Sequence, residues 1–430
     1  MLKNKRIYLV PIVGFAIIIM IGGILLSLPI SNNKQIEFID ALFTSASGVC
    51  VTGSSTVNIV EQFNIIGQII LAILMQIGAL GFMIFIVFVS VLTNKKISLS
   101  ETMIISESIN NNDYTKMKEK SLEILRYTFM IELIGAIFLS FKFVPMLGWA
   151  KGIWYSIFHA IAAFCNDGFD LFGNTSLVIF KDDVFVNIVL ILLMFLGGIG
   201  FFVIEDIINC IKKKNLKKLK FHSKIVLSAT MIVTVISTIL IYLLEPNMNI
   251  MQSLFATVTL RTTGLYTVSF SNFNEVTKML AMLIMFIGGA PGSTSGGIRI
   301  VVFAILVLTT ISTLKNKKDV VVFYKKIDEE NIKKSVMILL LSLMIIFASV
   351  MLFVAFDNFG LLEILFHCIS SFSTVGADLI SLSELNILGK ILTMILIFIG
   401  RVGPVASIAL LLVDKKEKGD IEYVKGNVIL

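Results

Sequence analysis

Four short segments carry the residue types from which chemistry can be argued: Cys50-Val51-Thr52-Gly53, Cys165-Asn166-Asp167-Gly168, Arg261-Thr262-Thr263-Gly264 and Ser373-Thr374-Val375-Gly376. Each ends in glycine, and ten residues before each glycine stands a bulky apolar residue: Phe43, Phe158, Leu254 and Phe366. The side chains ahead of the glycines differ, so what the four segments share is backbone. Carbonyl oxygens gathered on one axis can replace the hydration shell of a cation, and glycine adopts the needed conformations with no side chain in the hole. A single turn of this kind carries no signal, whereas four in register predict an aqueous cation path. Thr52, Thr262, Thr263 and Thr374 can equally serve as turn or packing hydroxyls. Asp167 either adds cation attraction or turns away to accept from backbone amides. Arg261 suits neither a cation site nor lipid, and is expected to brace its helix by pairing with an acid or with carbonyls.

A second constellation lies at Gly288-Gly289-Ala290-Pro291-Gly292-Ser293-Thr294-Ser295-Gly296-Gly297, inside an apolar run. Each glycine in a helix interior costs about 1 kcal/mol and a proline about 3, so this stretch should split the run into two half-helices joined by a polar loop. Unpaired backbone at membrane depth must be buried in protein or line a cavity. The loop therefore reads as a movable gate below the turns, or as a fixed kink between packed helices. Arg401 is deep in the apolar run from Ile391 to Val413, where an arginine costs about 2.5–3.5 kcal/mol on insertion scales. Carbonyls and hydroxyls of the loop are its expected partners, in a gate or in a structural clamp, with Pro404 disturbing the backbone nearby.

Catalysis finds no support. There is no HExxH, GxSxG or intramembrane aspartate pair, and a membrane-embedded enzyme is the remotest reading. The four cysteines lack CxxC spacing and the histidines, His159, His222 and His367, are scattered, so they read as packing residues rather than disulfides or metal ligands.

The elements that must hold these residues follow from composition. The chain has 430 residues, 57% hydrophobic and only 15% charged, with a mean hydropathy of +0.94, where a soluble domain would be about a quarter charged. This excludes an ordinary cytosolic enzyme and implies an all-α integral membrane protein. Long apolar runs predict eight spans, at 7–28, 63–92, 122–146, 184–210, 222–244, 275–314 (interrupted), 335–356 and 387–413. The first is too long for a signal peptide and lacks a cleavage site. Four further segments, Ile36 to Cys50, Gly152 to Cys165, Met248 to Arg261 and Leu361 to Ser373, are apolar, but a helix of about 13 residues reaches only about 20 Å. They should enter the bilayer and return.

The chain thus reads as one unit, helix/pore-loop/helix, used four times around one pseudo-fourfold pore. The repeats occupy 1–92, 122–210, 221–314 (with the broken second helix) and 335–413, separated by cytoplasmic loops at 93–121, 211–220 and 315–334 and followed by a tail at 414–430. Lysine and arginine collect in the amino-terminal tail, those loops and the final tail, which places both termini in the cytoplasm and explains the net charge of +7 without nucleic acid.

Together these residues resemble the Trk/Ktr/HKT superfamily of potassium transporters over essentially the whole chain, and within it the bacterial KtrB-type membrane subunits rather than the longer TrkH type. The Cys165-Asn166-x-Gly168-Phe169 and Arg261-Thr262-x-Gly264 turns, the Gly/Ser/Thr-rich loop and Gly400-Arg401-Val402-Gly403-Pro404 are similar to that family's filter, intramembrane gate and gate-facing arginine. The Ile97-Ser98-Leu99-Ser100-Glu101 stretch and the ending from Tyr423 to Leu430 are also similar. Asp167 stands where alanine is common, and Ser54 and Ala377 replace bulky apolar residues. The resemblance implies K+ held by filter carbonyls alone, no cofactor in this chain, and uptake across a bacterial plasma membrane. It also implies a homodimer in membrane lipid, controlled by a cytosolic KtrA-like RCK ring that binds a nucleotide. The rival reading is a Na+-coupled or Na+-permeable secondary cation transporter, since broken helices and repeats occur there too.

Overall fold

A computed structural model describes residues 2–81, 117–215 and 218–403. Most of the 93–121 loop with Ile97 to Glu101, the ends of the second and last expected spans at 82–92 and 404–413 with Pro404, and the 414–430 tail with Tyr423 to Leu430 lie outside the described residues.

The first quarter contains α1 (Leu2–Ser27), the short helix α2 (Phe38–Cys50), a one-turn α3 (Ile59–Gln62) and α4 (Ile65–Leu80). The second has α5 (Met117–Leu147), short α6 (Trp149–Cys165), α7 (Val184–Gly198) and α8 (Phe201–Lys212). The third has α9 (Phe221–Leu244), short α10 (Ile250–Thr262), α11 (Glu275–Ile287) and α12 (Ile300–Leu314). The fourth has α13 (Glu329–Phe356), short α14 (Leu361–Phe372) and α15 (Ile387–Val402).

The same physical stop and start recurs in each quarter. The long helix that follows each short one begins on a short polar side chain that accepts from otherwise unpaired amides: Asn64 from Ile66 and Gly67, Asp183 from Phe185 and Val186, Asn274 from Thr277, and Asn386 from Gly389. Packing then closes a ring. α4 lies on α6, α7 on α10, α11 on α14, and α15 returns to α2.

The outward faces are apolar. Leu133, Phe141, Leu243, Leu283, Met344 and Phe347 are all exposed, as lipid contact requires, while hydroxyls such as Thr44, Thr257, Thr374 and Ser373 are buried inside. Among the described residues α9, α13 and the 121–147 part of α5 are each long and apolar enough to cross a bilayer alone. The stretch 184–210, expected as one span, is instead two helices bent by 104° between Gly198 and Phe201. Gly200, at φ 92° and ψ 140°, supplies the break, because that backbone conformation is closed to most side chains. The expected interruption of 275–314 is present between α11 and α12. The 315–334 loop contains a tight hairpin, β1 (Val321–Val322) paired with β2 (Lys325–Lys326), which its polarity did not suggest.

Candidate functional site

Each short helix spends its final amides on its own carbonyls. Val51 and Asn166 adopt left-handed conformations, both at φ 59°, and the amides of Thr52 and Asp167 fold back onto Ser47 and Ala162 at 2.9 and 2.8 Å. Thr263 and Gly264 both return to Thr259, at 2.8 and 3.1 Å, and Val375 to Ser370 at 3.0 Å, with Thr374 left-handed. Helix-end amides therefore consume the donors. Among the described residues the carbonyls of Thr52, Asp167, Thr263 and Val375 accept no hydrogen bond.

The four turns meet. A methyl added to Gly53 would strike the Gly168 backbone, and one on Gly168 would lie 2.7 Å from the Thr263 oxygen and 3.3 Å from that of Thr52. One on Gly264 would strike the Val375 oxygen, and one on Gly376 the Thr52 oxygen. The contacts run from quarter to quarter and close on themselves. Gly53, Gly264 and Gly376 also have φ of 83°, 81° and 78°, so glycine is required there on both counts. Above them opens a cavity of about 360 Å³, floored by the four glycines and rimmed by Asp170 and Tyr266.

The other expected residues occupy different surroundings. The hydroxyls of Thr52, Ser373 and Thr374 are buried and have no partner among the described residues. Cys50 and Cys165 are buried free thiols, Cys165 lying 3.6 Å from Gln76 Oε1, behind the turn. Asp167 accepts from the Phe169 amide at 3.4 Å through Oδ1, while Oδ2 has no partner among the described residues. Arg261 is buried and donates to the Thr234 hydroxyl on α9 at 3.5 Å, and its Nε has no partner among the described residues. It reaches neither the acid nor the carbonyls expected of it, because α9 offers hydroxyls at that level.

The interior loop folds under the turns. Its backbone is tied to the break between α7 and α8: Ala290 donates to Gly198 at 3.0 Å, Thr294 to Gly197 at 3.4 Å, and Phe201 to Gly292 at 2.9 Å. Gly288, Gly292 and Gly297 have positive φ. A methyl on Gly296 would strike the Thr374 hydroxyl and lie 2.6 Å from the Ser373 oxygen, so this glycine lets the loop touch the fourth turn. The second turn is bonded to it directly, through Asn166 and Thr294 at 2.7 Å. Ser293 Oγ donates to Ala290 at 2.6 Å and accepts from Ser295 at 3.2 Å. Arg401 is 9% exposed and donates to the carbonyl oxygens of Thr294 in the loop and of Gly78 and Ala79 at the end of α4.

The cation transport protein family TrkH matches residues 9–422 of the chain. The chain belongs to the TrkH family. It is 35% identical over 427 residues to "Ktr system potassium uptake protein B" of Bacillus subtilis, covering 97% of this chain and 95% of that protein. It is 33% identical over 434 residues to "Potassium/sodium uptake protein NtpJ" of Enterococcus hirae, again covering 97% and 95%. The crystal structure of the potassium transporter TrkH from Vibrio parahaemolyticus superposes with a TM-score of 0.78 at 16% identity, over 95% of this chain and 85% of that one, which is a likeness of fold.

In this TrkH-family chain several site-forming residues carry a signal that sequence reading passed over. A second fourfold pattern lies at the inner ends of the last helices: Ile77-Gly78-x-x-Gly81, Leu196-Gly197-x-x-Gly200, Ile287-Gly288 and Ile399-Gly400-x-x-Gly403. Methyls on Gly78, Gly197 and Gly400 would strike the carbonyls of Val49, Phe164 and Phe372, each four residues before a turn glycine. Gly81, Gly200 and Gly403 share φ of 81–99° and ψ of 140–145°. In the third quarter Arg299 takes that conformation, at φ 78° and ψ 132°, eleven residues after Gly288 instead of three. The interior loop thus fills the interval where the other three quarters have only two residues between the corresponding positions. Arg299 is held in this costly conformation by its own guanidinium, which donates to the carbonyls of Ser295 and Ala290. The seam between first and fourth quarters is closed by Lys390 Nζ on Asp40 Oδ1 at 2.6 Å, where Thr56 also donates at 2.7 Å.

Proposed function

We propose that this protein takes up K+ across the bacterial plasma membrane, through a pore that passes the ring of Gly53, Gly168, Gly264 and Gly376. The observation that carries this reading is the closed set of glycine-to-backbone contacts with unclaimed carbonyls beside them. Carbonyls that bond nothing in the protein are available to a dehydrated cation, and a ring of four supplies them from all sides. In this reading α2, α6, α10 and α14 are re-entrant pore helices, the other long helices form eight spans, and Cys50 to Gly53, Cys165 to Gly168, Arg261 to Gly264 and Ser373 to Gly376 form the filter. Both termini are cytoplasmic.

The loop 288–297 is the gate. It lies against the inner side of the second and fourth turns, and Arg401 holds it by a carbonyl. A buried guanidinium there also opposes cation passage until the loop moves. The protein works as a homodimer with a cytosolic, nucleotide-binding RCK ring, reached through the lysine-rich loops and tail. The names of its Ktr-system relatives support a multi-subunit system. Sodium permeation is the second reading, favoured by the likeness to the Enterococcus potassium/sodium uptake protein.

Growth of a potassium-uptake-deficient bacterium at low K+, with and without an RCK subunit, tests the proposal. Rescue that strengthens with the subunit is expected. Absence of rescue with a membrane-inserted chain and its partner present would overturn it.

A further inference from the structure

Counting back nine residues from each filter glycine gives Thr44, His159, Phe255 and His367, all buried and all on the short helices. Three of them reach across to the limb of chain that leaves the same turn. Thr44 Oγ1, which donates to Asp40 at 2.9 Å, lies 3.4 Å from Ser55 Oγ, two residues past Gly53. His159 Nδ1 is 2.7 Å from the Tyr155 oxygen, to which it donates, and Nε2 accepts from the Leu171 amide at 3.3 Å, three residues past Gly168. His367 Nδ1 lies 2.6 Å from Asp378 Oδ1, two residues past Gly376. The third quarter has Phe255 at this place and no polar link of the kind.

The fourth link differs in strength and reach. The Thr393 hydroxyl donates to Gly389 at 2.9 Å, so its oxygen accepts from His367 Nε2 at 2.9 Å. One proton then remains between Nδ1 and Asp378 Oδ1. The ring is fully buried and Phe353 of α13 meets it edge-on at 5.3 Å, which leaves a single orientation. The other carboxylate oxygen of Asp378 accepts from Ser54 at 3.3 Å, and Ser54 directly follows Gly53. α15, the short helix α14, the fourth turn and the first turn are therefore joined in one chain of hydrogen bonds.

We propose that His367 and Asp378 are positioning residues for ion selectivity: the pair fixes the spacing of the first and fourth filter turns from outside the ion path. This rests on the filter reading above. A filter discriminates between K+ and Na+ by the number and disposition of its carbonyls. Of the three links this is the shortest, at 2.6 Å against 3.4 and 3.3 Å, and it alone spans two turns, so slack should enter the filter at this seam when it is cut. His159 braces the second turn alone and matters less.

The test uses the full-length chain in a potassium-uptake-deficient bacterium, with initial rates of Rb+ and Na+ uptake at matched amounts of membrane-inserted protein. His367→Gln and Asp378→Asn should each lower the Rb+/Na+ ratio by at least about fivefold, the scale of one lost hydrogen bond. Ser54→Ala, which leaves the pair in place but cuts its reach to the first turn, should lower it by a similar factor, and Thr393→Val by about twofold. They decide the matter if the pair variants do not accumulate. Gly376→Ser separates the two claims. If it alters the ratio while the four brace variants do not, the brace is wrong and the filter stands. If none of the five alters it, the filter reading falls as well.

Discussion

Asn166 Nδ2 donates to Thr294 Oγ1 across 2.7 Å, while Asn166 Oδ1 accepts from the hydroxyls of both Thr262 and Thr263, at 3.0 and 2.7 Å. One amide thus joins the second turn, the third turn and the interior loop. Thr294→Val keeps the shape and removes the loop's share. One hydrogen bond is worth about 1 kcal/mol, or about fivefold in an equilibrium, so K+ flux through the unactivated protein should rise about fivefold in proteoliposomes.

Arg401 bridges the loop at Thr294 and the end of α4 at Gly78 and Ala79. A planar guanidinium can serve both sides at once, and a lysine ammonium serves them poorly. Arg401→Gln should raise unactivated K+ flux by about tenfold or more, given that hydrogen bonds from charged groups contribute about 1.5–3 kcal/mol each. Arg401→Lys should fall between that and the parent. Flux at or below the parent level in the glutamine variant would count against the gate.

Gly197 and Gly400 let α7 and α15 approach the carbonyls of Phe164 and Phe372. Alanine at either position inserts a methyl where backbone already lies. Overpacking of this kind costs about 1–3 kcal/mol, and a lower unfolding temperature in detergent is expected. Ala substitution at Gly148, where nothing lies within 4 Å but φ is 82°, should cost only the backbone strain.

The Lys390–Asp40 pair is largely enclosed, with side chains 11% and 14% exposed. Removing one partner of a buried pair costs about 3–5 kcal/mol because the other is left charged and alone. Lys390→Met or Asp40→Asn should each reduce folded yield strongly, and the double substitution should recover much of it, as measured by monodisperse protein after extraction.

The four turns, the interrupted sixth run and the isolated Arg401 were legible because each breaks a pattern within one stretch of sequence: a short apolar helix ending in glycine, glycine and proline inside a span, charge inside an apolar run. What lay beyond reading were relations between stretches. Gly78 and Ala79 look like ordinary residues of an apolar helix, and nothing local marks their carbonyls as partners of Arg401. The bend at Gly200 was hidden by the unbroken apolarity of 184–210. Against metal-ligand spacings the three histidines read as scattered. Measured from the turn glycines, His159 and His367 occupy the same place. Arg261 went astray because its Thr234 partner is 27 residues away on another helix.

The extra residues between Gly288 and Arg299 occur in one quarter only. A ring of four near-equivalent arms therefore has a single blade beneath it rather than an iris. If that segment is the proposed gate, opening needs its displacement alone against one set of bonds, with no concerted movement of all four arms. In that reading a regulator acting on one polypeptide should meet a one-hit response, and a steep, sigmoidal one would point to coupling between copies of the chain.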